Sequence, residues 1–277
     1  MFATAIIVFR EVLEAALIIG IVAAATHNVP HSRRWLLAGL LAGLSGAAVV
    51  AACTDAIGAF ASGLGQELFN AGVLGIAVLM LAWHNIWMTS HGAELAASAK
   101  SAGGNIRAGR SECSVLLLIV GLAVLREGSE TVLFLYGIAA SEHGRSSMLL
   151  GGLTGMSLGI GVGYMIYAGL LRIPLRWFFA ATSVLVLMLA AGMASQAARF
   201  LIQADLLPSL AAPLWDTSST LPENGVTGML LHSLIGYDSR PAGMQLVFYV
   251  IVLLTIGAGM KWANRSRKSI NPTTGKI

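Results

Sequence analysis

Apolar stretches of about 20 residues, the length that crosses roughly 30 Å of hydrocarbon, recur seven times along this chain. They lie at about residues 2 to 25, 35 to 56, 68 to 90, 113 to 139, 148 to 171, 177 to 199 and 243 to 263. Only 11% of the residues are charged and 56% are apolar, whereas an ordinary soluble domain is roughly a quarter charged. The expected fold is therefore an all-α integral membrane protein of seven transmembrane helices. The first stretch differs from a secretory signal: Met1 to Thr4 has no basic residue, and the apolar run carries Arg10, Glu11 and Glu14, so it reads as a retained helix. Gly151, Gly155, Gly159 and Gly163 form a small-residue stripe of the kind that lets membrane helices pack closely.

The connections between the stretches carry unequal charge. Arg33, Arg34, Lys100, Arg107, Arg110, Arg172 and Arg176, with Lys261, Arg265, Arg267, Lys268 and Lys276 of the tail, fall on one side. The other side holds Arg145 and Arg240 beside Asp55, Glu67, Glu142, Asp205, Asp216, Glu223 and Asp238. Positive residues stay inside, which predicts an outer N-terminus, a cytoplasmic C-terminus and an odd number of spans. The sequence pI near 9.3 is then a product of topology, and the basic tail does not call for nucleic acid. Cys53 and Cys113 fall at opposite membrane faces in this arrangement, too far apart to bond. The outer connection, residues 200 to 242, contains an apolar run from Val226 to Leu234, read either as a short helix on the outer surface or as part of a metal-access route.

Two segments repeat a charged pattern inside the apolar stretches. Arg10-Glu11-Val12-Leu13-Glu14 in span one and Arg126-Glu127-Gly128-Ser129-Glu130 in span four are both R-E-x-x-E, 116 residues apart. Leu36 to Leu40 resembles Leu149 to Leu153, and Val78 to Ala82 is identical to Val186 to Ala190, at spacings of 113 and 108. The expected organisation is a first three-helix repeat over residues 1–111 and a second over 112–199. The outer loop 200–242 and a segment 243–277, comprising the seventh helix and a basic tail, complete a single membrane domain. Each repeat has an odd number of spans, so the two are inverted, an architecture recurrent in secondary transporters.

An unpaired charge at the centre of a membrane helix costs roughly 2.5 to 3.5 kcal/mol, so six would cost on the order of 15 to 20 kcal/mol. They must be compensated by one another, by water or by an ion. Helical spacing puts Glu11 and Glu14 at i and i+3 and Arg10 under Glu14 at i and i+4, and the second motif repeats this. Two facing motifs would bring four carboxylates together against two guanidiniums, with Arg10 and Arg126 orienting the acids. An oxygen-rich negative cage suits a hard multivalent cation.

Other polar residues are fewer. His84 and Asn85, with His91 and Glu94 beyond them on the cytoplasmic side of span three, read either as interfacial polar groups or as an exit relay of His84, His91 and Glu94. Trp83, Trp87, Trp177 and Trp262 read as an interfacial aromatic belt, and Met80, Met88, Met188 and Met193 as packing.

Phe9 to Gly20, Leu125 to Val132, and the outer stretches Leu214-Trp215-Asp216-Thr217-Ser218, Gly236-Tyr237 and Pro241 to Gln245 together resemble the oxidase-dependent iron permease family. That family includes the fungal high-affinity iron permeases and the bacterial EfeU type. Val12 stands where Gly is frequent in the family. The resemblance implies ferric iron as the transported substrate, Glu11, Glu14, Glu127 and Glu130 as its ligands, and no permanently bound cofactor. It also implies a partner at the outer face, an extracytoplasmic iron oxidase or a periplasmic iron-binding protein, and a multi-pass location in the cytoplasmic (inner) membrane; association into an oligomer is left open. Asp216 is a candidate for metal access. A permease for another hard cation, manganese or magnesium, is the nearest alternative. A membrane haem enzyme is disfavoured, since axial pairs of histidine are common there and His84 is the one histidine within a span. The expected class is a membrane transporter, not an enzyme.

Overall fold

The computed structural model of the chain describes residues 1–61, 65–141, 145–169, 175–223 and 225–270. Glu142, Arg172 and Lys276, which entered the loop-charge reading, lie outside the described residues. The described residues form eight helices and no strand: α1 (Phe2–Ala25), α2 (Ser32–Ala61), α3 (Gln66–Arg107), α4 (Ser114–Ser141), α5 (Arg145–Tyr167), α6 (Leu175–Gln203), α7 (Val226–Ile235) and α8 (Gly243–Ile270). Five of them, α2, α3, α5, α6 and α8, are long and apolar enough to cross a membrane. α1 and α4 have the length, 24 and 28 residues, but each concentrates an Arg and two Glu in its middle.

α3 departs most from expectation. Residues 91 to 107, read as a connection because of their charge, continue the helix to a total of 42 residues, about 60 Å at 1.5 Å per residue. The extension is rich in alanine, the best helix former. It is also held by burial: Ala99 and Ile106 pack with Val22 of α1 and Leu116 of α4 in a small apolar cluster.

The main core joins α1, α3, α4, α6 and α8. Ile7, Leu74, Leu81, Phe134, Ile138, Val186, Ala190 and Ile256 are buried together there. Around this core, α2 runs along α4 and α5 along α1, while α3 packs on α6, and α1, α3 and α4 meet one another. The two outlying contacts are built alike. On α5, a side chain at Gly151 would strike the carbonyl oxygen of Met1, one at Gly155 that of Ala5, and one at Gly159 would stand 3.0 Å from Phe9 O. On α2, a Cβ at Gly39 would stand 2.9 Å from Leu117 O and one at Gly43 2.8 Å from Gly121 O. Each glycine row therefore lets backbone lie on backbone, and each presses against a helix that bears an Arg-Glu-x-x-Glu motif. Only 17% of the α2 span and 22% of the α5 span is buried, so their remaining faces are apolar and outward-looking, as lipid contact demands.

The expected short helix of the outer connection is α7. It does not lie loose on the surface: its C-cap, Gly236, takes a left-handed conformation (φ 69°) and comes against Gly192 of α6, where a Cβ would sit 2.7 Å from Gly236 Cα. The loop is stitched by Leu214 N–H to Pro241 O (2.9 Å) and Thr217 N–H to Ser239 O (3.0 Å).

Candidate metal centre

Both motifs face the bundle interior. On α1, Arg10 and Glu11 are 1% exposed and Glu14 3%. On α4, Glu127 is equally buried, whereas the side chains of Glu130 and Arg126 retain 17% and 32% exposure. Ion pairing follows the helical spacing: Arg10 Nε lies 3.1 Å from Glu14 Oε1, and Arg126 Nε donates to Glu130 Oε1 at 3.0 Å. The first of these contacts is not directed as a hydrogen bond, which leaves the Glu14 oxygens, like both oxygens of Glu11 and Oε2 of Glu127, buried without one.

The helices converge on one point. Glu11, Glu127 and Glu130 each offer an oxygen, and His84 a ring nitrogen, with all four atoms within 4.8 Å of one another. Glu14, the fourth carboxylate expected here, sits at the edge of this group, turned to Arg10 on one side and 3.8 Å from His84 Nε2 on the other. The described structure thus brings all four motif glutamates into one neighbourhood, three of them at ligand spacing.

His84 departs from the interfacial reading. It is 2% exposed, its Nδ1 is in direct contact with Glu130 Oε2, and its Nε2 lies 3.9 Å from Glu11 Oε2. Its neighbour Asn85, also buried, donates from Nδ2 to Ser183 O on α6 at 3.0 Å, which fixes the rotation of α3 about its axis. One turn on, Trp87 carries the Arg126 guanidinium over its ring at 4.2 Å from the centroid, a cation–π contact. Trp83, by contrast, is 75% exposed. His91 stacks on Trp87 with centroids 4.9 Å apart; both His91 and Glu94 are exposed, so of the proposed relay only His84 reaches the carboxylates. His84, Trp87 and His91 recur at i, i+3 and i+7 on one stripe of α3, a spacing that groups them without saying which way the stripe faces.

A cavity of about 360 Å³ opens beside the cluster, with Arg126 and Glu127 on its wall and Ile18 of α1, Ser98 and Ala102 of α3 and Leu122 of α4 around it. Asp216 lies elsewhere. Its carboxylate is exposed and accepts from Ser218 N–H (3.0 Å) and Ser218 Oγ (2.6 Å), with Arg240 Nη2 at 3.0 Å. The Ser218 hydroxyl, and then Arg240, hold it down to about 2.

Long apolar helices wrapped about a buried set of acids and one imidazole have the make-up of a multi-pass membrane transporter. The chain belongs to the iron permease FTR1 family, whose profile matches residues 1–263. It is 29% identical over 262 residues to the ferrous iron permease EfeU of Escherichia coli O6:H1, covering 92% of this chain and 93% of that protein. To the ferrous iron permease EfeU of Yersinia pestis it is 30% identical, covering 92% and 91%. No solved structure matches the chain.

Proposed function

We propose that the chain carries iron across the cytoplasmic membrane, with the two Arg-Glu-x-x-Glu motifs as the metal site. The observation that supports this most is the convergence of Glu11, Glu127 and Glu130 with His84, at carboxylate oxygens that lack hydrogen bonds. Buried acids left without partners are costly, and a multivalent cation removes the cost. Ferric iron is the ion held. The relatives are named for ferrous iron, and oxidation at the outer face by a partner protein reconciles the two.

In this reading α1 and α4 are also spans, their charges compensated inside the bundle, and with α2, α3, α5, α6 and α8 they make seven, N-terminus out and C-terminus in. The pattern of helix contacts favours two related halves. Exchanging α1 with α4, α2 with α5 and α3 with α6 turns the α2–α4 contact into α5–α1 and leaves α3–α6 and α1–α4 unchanged. The cavity beside Glu127 is lined on α3 by Ser98 and Ala102, which flank Lys100, and this supports a role as the cytoplasmic exit. Asp216 has its carboxylate occupied and shapes the outer loop.

The test is radio-iron uptake into proteoliposomes, with ferric citrate and with ascorbate-reduced iron, beside manganese and magnesium. The wild type accumulates iron, and Glu11→Gln, Glu14→Gln, Glu127→Gln and Glu130→Gln insert normally but do not. Equal uptake of magnesium, or full uptake by all four variants, would overturn the assignment.

A further inference from the structure

α3 belongs to neither motif, yet it delivers a side chain into the carboxylate cluster. Nδ1 of His84 meets Glu130, while Nε2 faces Glu11 at 3.9 Å and Glu14 at 3.8 Å. Among the described residues no backbone group hydrogen-bonds either nitrogen. A histidine buried only for packing would ordinarily satisfy its ring through such a bond. The ring is nevertheless held from outside the cluster: Asn85 is anchored on Ser183 O, and Phe134 stands edge-on to the imidazole with centroids 6.3 Å apart. Support of this kind is what orients a ligand before the metal arrives.

The two halves differ at this point. The shift of 108 positions that superposes Val78 to Ala82 on Val186 to Ala190 sets Gly192 opposite His84. Gly192 has no donor, and its space is taken by the backbone of Gly236. The repeated motifs supply only oxygen, so the one nitrogen comes from one side.

Resting on the permease reading, we infer that His84 is a ligand of the transported iron and the residue that sets the preference for iron over manganese and magnesium. Carboxylate and water oxygens suit magnesium, calcium and manganese, whereas imidazole suits iron and its heavier neighbours. Among ions of equal charge, an all-oxygen cage made from the four glutamates alone separates ferrous iron poorly from manganese and magnesium. Exchanging one oxygen for a nitrogen tilts the same cage toward iron.

The experiment uses the full chain in vesicles of phosphatidylethanolamine and phosphatidylglycerol, comparing wild type with His84→Asp and His84→Gln. Uptake of iron and manganese is measured in competition, and iron K-edge absorption is recorded on the purified, iron-loaded proteins. Imidazole scattering is expected in the wild type and is lost in both variants. The iron-to-manganese ratio falls about tenfold in His84→Asp, equivalent to about 1.4 kcal/mol of lost discrimination. Should His84→Asp fail to fold, the absorption spectrum of the wild type and the ratio in His84→Gln decide. Iron bound and moved by the wild type in an all-oxygen shell, or an unchanged ratio in a folded variant, overturns the role of His84 alone. A wild type that neither binds nor moves iron overturns the permease reading with it.

Discussion

Acidic residues collect in two regions of this molecule, and they are treated oppositely. In the outer loop Asp216, Glu223 and Asp238 each have partners. Asp216 has Ser218 and Arg240; Glu223 Oε1 accepts from Ser239 N–H at 2.7 Å and Ser239 Oγ at 2.9 Å. Burial alone would raise Asp238, but the Arg240 N–H and the Gln245 amide outweigh it and hold the carboxyl below its usual range. In the bundle, Glu11, Glu14 and Glu127 are withdrawn from water and keep oxygens with no hydrogen bond. A carboxylate with its donors in place is a structural part, while on the proposed reading one sealed away without them is completed by a cation.

That contrast can be broken by exchanging the readouts. The largest effect is on transport: Glu11→Gln or Glu127→Gln lowers iron uptake in proteoliposomes by more than the roughly 10- to 100-fold that loss of a mere supporting group costs at a metal site. Glu223→Gln leaves uptake unchanged. Next is the response to substrate. Iron at a hundred times its dissociation constant stabilises the wild type by about 2.7 kcal/mol, read as a thermal shift in detergent; the shift vanishes in Glu127→Gln and persists in Asp216→Asn. Smaller again, Glu223→Gln replaces the charged oxygen that accepts both Ser239 bonds with a neutral one and costs about 1 kcal/mol, seen as faster amide exchange at Ser239. The smallest effect is pH. Because Asp216 titrates at about 2 in the folded loop, below an ordinary aspartate near 3.9, its contribution is complete above about 4 and is lost as pH falls through about 2. Exchange at the Ser218 amide should rise only in that window, and Asp216→Asn should abolish the dependence.

Much of this could be read from the sequence because membrane helices announce themselves by length and their intruding charges by rarity. The boundaries of α1, Phe2–Ala25, and of α7, Val226–Ile235, fall within a residue or so of the apolar runs that suggested them. The glycine row of α5 was visible, though not that its partner would be α1. Two features were not legible. The second half of α3 hides among charged residues, and only its alanines and the buried Ile106 show that it continues. The place of His84 depends on how α3 is turned about its axis, and that helix is apolar on most sides through the span, so no periodicity fixes it. The Asn85 bond to Ser183, a contact between distant segments, does. Arg126 likewise looked like a twin of Arg10, yet it leans on Trp87 beside the cavity while Arg10 is sealed.

The glycine rows also bear on how the chain is built. α1 is synthesised long before α5, whose backbone it must meet, and before α4, whose acids share its neighbourhood. Its Arg10 and Glu14 can pair along the helix as soon as it forms, but the residues of α3, α4 and α5 that pack around this stretch arrive only later. A nascent chain halted after α3 would leave this helix in the care of the insertion machinery, and severed halves made in one cell would regain their shape only by finding each other.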